Sequence, residues 1–207
     1  FLKDLDTKKQ VVFDTTEIFQ EVTCMKPLLV VVDMQNDFIS QALGTPEAQN
    51  IVDPLCQKIE NWDGPVVYTR DTHGEDYLET AEGRKLPVPH CIRGTEGWQL
   101  AAEIAACIRP EDRIFDKPTF GSIRLAEYVR QLAEDNAISS VTLTGLCTDI
   151  CVISNAMLLK AYLPQTPIIV DASCCAGVTP ESHQNALKAM AACQISIIND
   201  SGCGAVQ

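Results

Sequence analysis

No CxxC pair occurs in this chain, although it carries ten cysteines, at positions 24, 56, 91, 107, 147, 151, 174, 175, 193 and 203. Without that spacing, a zinc ribbon or a thioredoxin-type redox motif has no local support. The ten positions also lack the repeated framework of a small disulfide-stapled secreted domain, so the thiols read as reduced and the protein as cytoplasmic. Apolar runs are short, and none approaches the roughly 18 residues that a membrane span requires. Basic residues are outnumbered, 16 Lys and Arg against 28 Asp and Glu. The net charge of -12 would be repelled by nucleic acid and by an anionic membrane surface, leaving a small molecule as the expected partner. Residues 1–23 carry charges throughout and lack the apolar segment of a secretory signal. Internal repeats and low-complexity tracts are absent too.

What is present is an alternation. Short apolar runs rich in β-branched residues recur at residues 28–32, 66–69, 113–115, 141–144, 168–170 and 195–198. Longer segments with helical spacing lie between them, at about 46–62, 98–108, 122–134, 149–163 and 179–192. Strands alternating with helices imply parallel pairing through right-handed crossovers. The strands are continuously apolar, as burial on both faces demands. The expected architecture is therefore an α/β fold, a three-layer α/β/α sandwich with a mainly parallel sheet of about six strands. Length fits one domain, residues 25–207, with residues 1–24 as an N-terminal arm outside the core. Thr179, Pro180 and Glu181 start the last helix with an N-cap, a first-position proline and an acid suited to the helix dipole.

Three strand ends carry reactive side chains: Asp33 in LLVVVDMQNDF, Lys117 in IFDKPTFGS, and Cys151 in TGLCTDICV. Parallel strands place all three on one side of the sheet. Cys151 falls in the first turn of a helix beginning near Thr148 or Asp149, where backbone N–H groups and the dipole favour a thiolate. A Lys117 ammonium lowers the thiol pKa further, and Asp33 is the candidate base. Backbone N–H groups of the turn spanning 146–151 are placed to meet an oxyanion on an attacked carbonyl. Such an array suits amide hydrolysis or acyl transfer.

Residues 71–97 form a long irregular segment, too large for an ordinary crossover, leaving the sheet where open α/β folds bind ligands. Its TRDTHGEDY and LPVPHC stretches supply Asp71, His73 and His90. Two imidazoles and a carboxylate suit zinc, iron or manganese; a polar loop held by His–carboxylate hydrogen bonds is the other reading. Phe38 and Phe120 flank the strand ends and are placed to line an aromatic pocket, with Trp98 and Tyr77 as lesser candidates. His183, early in the last helix, acquires no role.

Taken together, LLVVVDMQNDF, the strand-end lysine of IFDKPTFGS and TGLCTDICV before a helix resemble the isochorismatase-like cysteine hydrolases, nearest to their nicotinamidase branch. The resemblance runs from about residue 25 to 198. It implies a catalytic Asp33–Lys117–Cys151 triad working through a thioester. It also implies a cis peptide between Leu146 and Cys147, with the amides of Cys147 and Cys151 as the oxyanion hole. It further implies a divalent metal, zinc first, on Asp71, His73, His90 and a fourth ligand. Glu82 is the best positional match for that ligand, with Asp76 and Glu79 as rivals. No organic cofactor is implied, and a homodimer or homotetramer is. The implied reaction is nicotinamide to nicotinate and ammonia. The segment after Lys117 reads PTFGSI where nicotinamidases often have a DSYSAF-like stretch, so an N-carbamoyl or ureido amidohydrolase, or isochorismatase itself, stands as the alternative. A binding protein that keeps the fold without the activity fits less well because all three reactive strand ends are present, and a Cys147–Cys151 redox sensor fits their i,i+4 spacing poorly because neither cysteine has an evident resolving role.

The position of Cys151 predicts that iodoacetamide labels it ahead of the other cysteines and abolishes amidase activity. Full activity after complete labelling would refute the nucleophile.

Overall fold

A computed structural model describes residues 25–200; the expected N-terminal arm, residues 1–24, lies outside them. Six strands form one sheet: β1 (Lys26–Val32), β2 (Val66–Asp71), β3 (Arg113–Lys117), β4 (Ile138–Leu146), β5 (Ile168–Ala176) and β6 (Ser196–Ile198). Their order is β3-β2-β1-β4-β5-β6, and every neighbouring pair is parallel. All six apolar runs are strands, as expected. The chain fills one half of the sheet, from β1 out to β3, before crossing back to lay β4 against the other side of β1. That reversal is the switch point at which open parallel sheets form a crevice beyond their carboxyl ends. Asp33 follows β1 and TGLCTDICV closes β4, so the two motifs flank it.

Successive β1 residues enter opposite layers. Leu28, Val30 and Val32 join one core and Leu29 and Val31 the other, all without solvent exposure. On the first face pack α5 (Ile123–Glu134), α6 (Ile153–Tyr162) and α7 (Pro180–Ala192), through residues such as Leu125, Val129, Leu159 and Met190. On the other pack α2 (Pro46–Asn50), α3 (Val52–Glu60) and α4 (Ala102–Ala106), through residues that include Ala48, Leu55, Ile59 and Ile104. Each buried Leu or Ile contributes on the order of 1.5–3 kcal/mol of apolar transfer, which is why two-faced apolar strands specify a three-layer fold.

Two helical expectations change in detail. The single helix over 46–62 is two, jointed at Ile51; Pro54 has no N–H to give the Asn50 carbonyl, so the ladder breaks there. The segment 98–108 is helical only from Ala102, because its first residues pair with the loop after β1. Asn36 N–H donates to Gln99 O, Ala101 N–H donates to Met34 O, and Gln35 bridges Leu100. That loop also contains a one-turn helix, α1 (Asn36–Ile39), unmarked by periodicity. The last helix starts as expected: Thr179 caps it by accepting from Ser182 N, with Pro180 in the first turn. No disulfide joins the described cysteines, and among the described residues no helix is long and apolar enough to cross a membrane.

Gly145, near the end of β4, sits at φ 104°, a region open to glycine and costly to other residues. A Cβ there would lie 2.1 Å from the Val32 carbonyl oxygen, so no side chain fits between the two central strands. Gly145→Ala is expected to lose at least about 2 kcal/mol of unfolding free energy from strain and overpacking. Urea denaturation measures it; a loss under about 0.5 kcal/mol would contradict this account of the crossing.

Candidate active site

The three reactive strand ends meet. Lys117, at the end of β3 and only 1% exposed, places its Nζ 2.6 Å from Asp33 Oδ2, 3.5 Å from Cys151 Sγ and 3.4 Å from Asp71 Oδ1. Thr69, on β2, donates its hydroxyl to Asp33 Oδ1 at 2.6 Å. Asp33 adopts φ 48°, which turns the chain sharply off β1. Beyond β4 the Leu146–Cys147 peptide is cis, the conformation that the family resemblance implies. Cys147 then caps a widened π-type turn, Thr148–Val152, that runs into α6. The Cys147 carbonyl accepts from Ile150 N–H and Val152 N–H, each at 3.0 Å, on either side of Cys151. Turns of this type recur at functional sites because they re-aim one residue of a helix.

Burial sets the protonation states more strongly than the sequence indicates. Complete burial pushes the Cys151 thiol well above its ordinary value, and the Asp33 charge adds to the rise against Lys117. The helix start and the lysine therefore do not leave a resting thiolate, contrary to expectation, because both act on a group cut off from water. Burial likewise raises Asp33; Lys117 opposes it, Asp71 reinforces it, and the carboxyl ends above its usual range. Lys117 loses to burial but gains more from Asp33, Cys151 and Asp71, so it stays an ammonium. Burial holds the neighbouring Cys147 thiol at about 12, which makes it a protonated bystander. Cys193 is exposed to reagent whereas Cys151 is buried, so the expectation that Cys151 reacts before every other thiol loses its basis; that labelling it abolishes activity does not depend on order.

Asp71, at the end of β2, spans two clusters. Its Oδ1 faces Lys117, while Oδ2 lies 3.0 Å from His73 Nε2 and 3.8 Å from His90 Nε2. Glu82 Oε1 is 3.8 Å from both imidazole nitrogens. One ligand atom from each of Asp71, His73, Glu82 and His90 lies within 4.8 Å of the others. Asp76 and Glu79 are outside this group. His90 Nδ1 donates to the Val88 carbonyl at 2.8 Å, so that a neutral His90 ring carries its lone pair on Nε2, turned toward the carboxylates. That tautomer is the one a metal-ligating imidazole needs, and two nitrogens with two carboxylate oxygens are a donor set suited to zinc. Burial raises Asp71, but the His73 hydrogen bond and the Lys117, His73 and His90 charges outweigh it, holding the carboxylate below its usual range.

A cavity of about 580 Å³ opens onto both clusters. Asp71, Glu82, His90 and Cys151 lie on its polar side; Phe38, Phe120, Leu86, Ile150 and Val178 form its apolar wall. Both predicted aromatics are therefore in place, with the Phe38 ring 5.5 Å from that of His90. Trp98 is not in the wall. It packs beneath the Arg70 guanidinium at 3.7 Å and donates Nε1–H to Thr72. Tyr77 supports the imidazoles, 4.7 Å from the His73 ring and 5.0 Å from the His90 ring.

Sequence reasoning missed the side chains that hold this arrangement. Gln35 Nε2 donates to the carbonyls of Asp71 and Trp98, while its Oε1 accepts from Asp71 N–H. Asn155 Nδ2 donates to the Cys151 and Phe120 carbonyls, and its Oδ1 accepts from Ser122 N–H. Asp37 Oδ2 accepts from Cys91 N–H at 2.7 Å, beside His90. Asn155 alone left a signal, being one helical turn beyond Cys151.

Comparison with known proteins agrees with this geometry. The nicotinamidase of Schizosaccharomyces pombe is 27% identical over 84% of this chain and 93% of its own length. The structure of N-carbamoylsarcosine amidase from Thermoplasma acidophilum is 30% identical, with a TM-score of 0.67 over 86% of this chain and 100% of that one. The zinc complex of Pyrococcus horikoshii pyrazinamidase, 24% identical, shares the fold with a TM-score of 0.70 over 84% of this chain and 99% of that one. The isochorismatase domain matches residues 27–200, most of the sequence, and the chain belongs to that family.

Proposed function

We propose that this protein is an amidohydrolase acting on the C–N bond of a small linear carboxamide, with nicotinamide as substrate and Cys151 as nucleophile. The observation that carries the reading is the buried ammonium of Lys117 set between Asp33 and Cys151, at 2.6 and 3.5 Å, with Cys151 on the lining of a ring-sized cavity.

In this reading Cys151 Sγ attacks the amide carbonyl carbon as its proton passes to Asp33. A carboxyl raised above its ordinary range is a better acceptor for a thiol proton than a solvated one. The amides of Cys147 and Cys151 take the oxyanion. The C–N bond breaks, ammonia leaves with the proton held by Asp33, and a thioester remains. Water then attacks it, giving its proton to Asp33, and the thiol is restored as the carboxylic acid leaves. Lys117 stays charged throughout.

Asp71, His73, Glu82 and His90 would hold a divalent ion, zinc by their donor chemistry, and it would supply a Lewis acid for a ring nitrogen. Phe38 stands beside that cluster and lines the cavity together with Phe120 and Cys151, so an aromatic ring bound there would meet apolar surfaces with its amide toward Cys151. The likeness to N-carbamoylsarcosine amidase favours a second reading, hydrolysis of an N-carbamoyl compound by the same triad.

Ammonia release from nicotinamide, pyrazinamide, N-carbamoyl amino acids and ureidoacrylate decides between the readings. We expect the two ring carboxamides to be fastest, close to one equivalent of divalent metal per chain, and no turnover in Cys151→Ala. Preference for carbamoyl compounds selects the second reading, and undiminished turnover in Cys151→Ala removes both.

Asp33→Asn separates the aspartate's two effects. Its charge raises the thiol pKa, so a neutral amide beside Lys117 lowers it, and iodoacetamide should modify Cys151 faster at pH 7 than in the unsubstituted protein. Ammonia release should nevertheless fall by about 10²-fold or more, because the proton acceptor is gone. Slower alkylation, or turnover within tenfold of the original, would contradict the assignment.

A further inference from the structure

His183, in the first turn of α7, faces the catalytic turn across the end of β5. Its Nδ1 lies 2.8 Å from Thr148 Oγ1. Thr148 has no solvent exposure, comes directly after the cis Leu146–Cys147 peptide, and opens the turn that contains Cys151. A second bond joins the same two segments: Asp149 Oδ1 accepts from Val178 N–H at 3.1 Å. The approach is close because Gly177 has no side chain; a Cβ there would lie 2.8 Å from His183 N and 2.9 Å from its Cα. Burial keeps the imidazole below its ordinary pKa, against Asp200 and Asp149, so it is neutral at pH 7 and brings no charge to the site. His183 is not among the residues lining the 580 Å³ cavity, and its imidazole bonds the catalytic turn through Thr148.

A buried hydroxyl with one close partner is a strong geometric constraint, since losing the partner leaves the hydroxyl desolvated and unpaired. We propose that His183 is a positioning residue: by fixing the Thr148 hydroxyl it fixes the turn that presents Cys151 Sγ and the Cys147 and Cys151 amides. This rests on the Cys151 amidohydrolase reading. An oxyanion donor displaced by a fraction of an ångström weakens the transition state more than the bound substrate, so the effect belongs on kcat rather than KM.

The test compares the unsubstituted protein with His183→Ala, His183→Asn and Thr148→Val. Steady-state kinetics use the best amide of the panel, and amide hydrogen exchange is followed across residues 147–153 and in β1. His183→Ala and Thr148→Val are each expected to lower kcat tenfold or more with KM within threefold. His183→Asn, which keeps a polar atom near the Nδ1 position, should recover most of the loss. Exchange should quicken in residues 147–153 of His183→Ala and stay unchanged in β1. A His183→Ala enzyme with kcat within twofold of the original overturns the proposal, as does exchange that quickens equally in β1. Failure of the amidohydrolase reading appears separately, as an unsubstituted protein that releases ammonia from no amide; the exchange pattern alone then decides, local quickening supporting the proposal and uniform or absent change overturning it.

Discussion

An ammonium ion withdrawn from water must be surrounded by compensating charge, and that requirement organises the carboxyl end of this sheet. Lys117 is 1% exposed and has Asp33, Asp71 and the Cys151 sulfur within 3.5 Å. Removing one partner of a buried pair costs roughly 3–5 kcal/mol, so the fold depends on delivering strand ends from β1, β2, β3 and β4 to one point. The same arrangement suits it to the proposed proton transfer. A proton moving from Cys151 to Asp33 shifts negative charge from one neighbour of Lys117 to another, creating no new net charge in the low-dielectric interior. In water this thiol–carboxylate exchange would be strongly uphill; here the raised Asp33 is a better acceptor, and Lys117 works against the rise of the thiol by stabilising the thiolate.

Asp71 carries this organisation into the neighbouring cluster. One oxygen faces Lys117 and the other His73, so the triad and the metal-donor group share a carboxylate. Charge placed on the four-donor group would therefore be felt at Lys117. Gln35, bonded to the Asp71 backbone through both its carbonyl and its amide ends, limits how far that carboxylate can swing. A substitution of Gln35 would disturb both clusters through the Asp71 backbone.

Much of this was legible in the sequence because it follows from period and direction. Two-faced apolar runs alternating with helical segments leave little beside a parallel sandwich, and parallel strands put Asp33, Lys117 and Cys151 on one side. The Asp71–His73 spacing and His90 were legible for the same reason, since a strand end and the loop it feeds cannot separate far. What could not be read depends on contacts between distant segments. The trimming of α4 follows from pairing of residues 98–101 with the loop after β1, and Thr69 and Gln35 are ordinary polar residues until neighbours arrive from elsewhere in the chain. The thiol was misjudged because the sequence shows the lysine and the helix start but not how completely the site is closed to water.

The division between chemistry and specificity has the same origin. The groups that touch the amide bond in the proposed reaction sit at strand ends, on elements fixed by two hydrophobic cores. The wall of the cavity comes largely from connecting segments: Phe38 in the short helix after β1, Leu86 in the long loop, Phe120 before α5 and Val178 before α7. An apolar residue in a connection is indistinguishable, in sequence, from one that packs against the core, as Trp98 illustrates by packing under Arg70 instead of lining the site. Strand ends can therefore keep one reaction while connections change what is admitted to it, which is why the bond cleaved is more legible in this chain than the molecule that carries it.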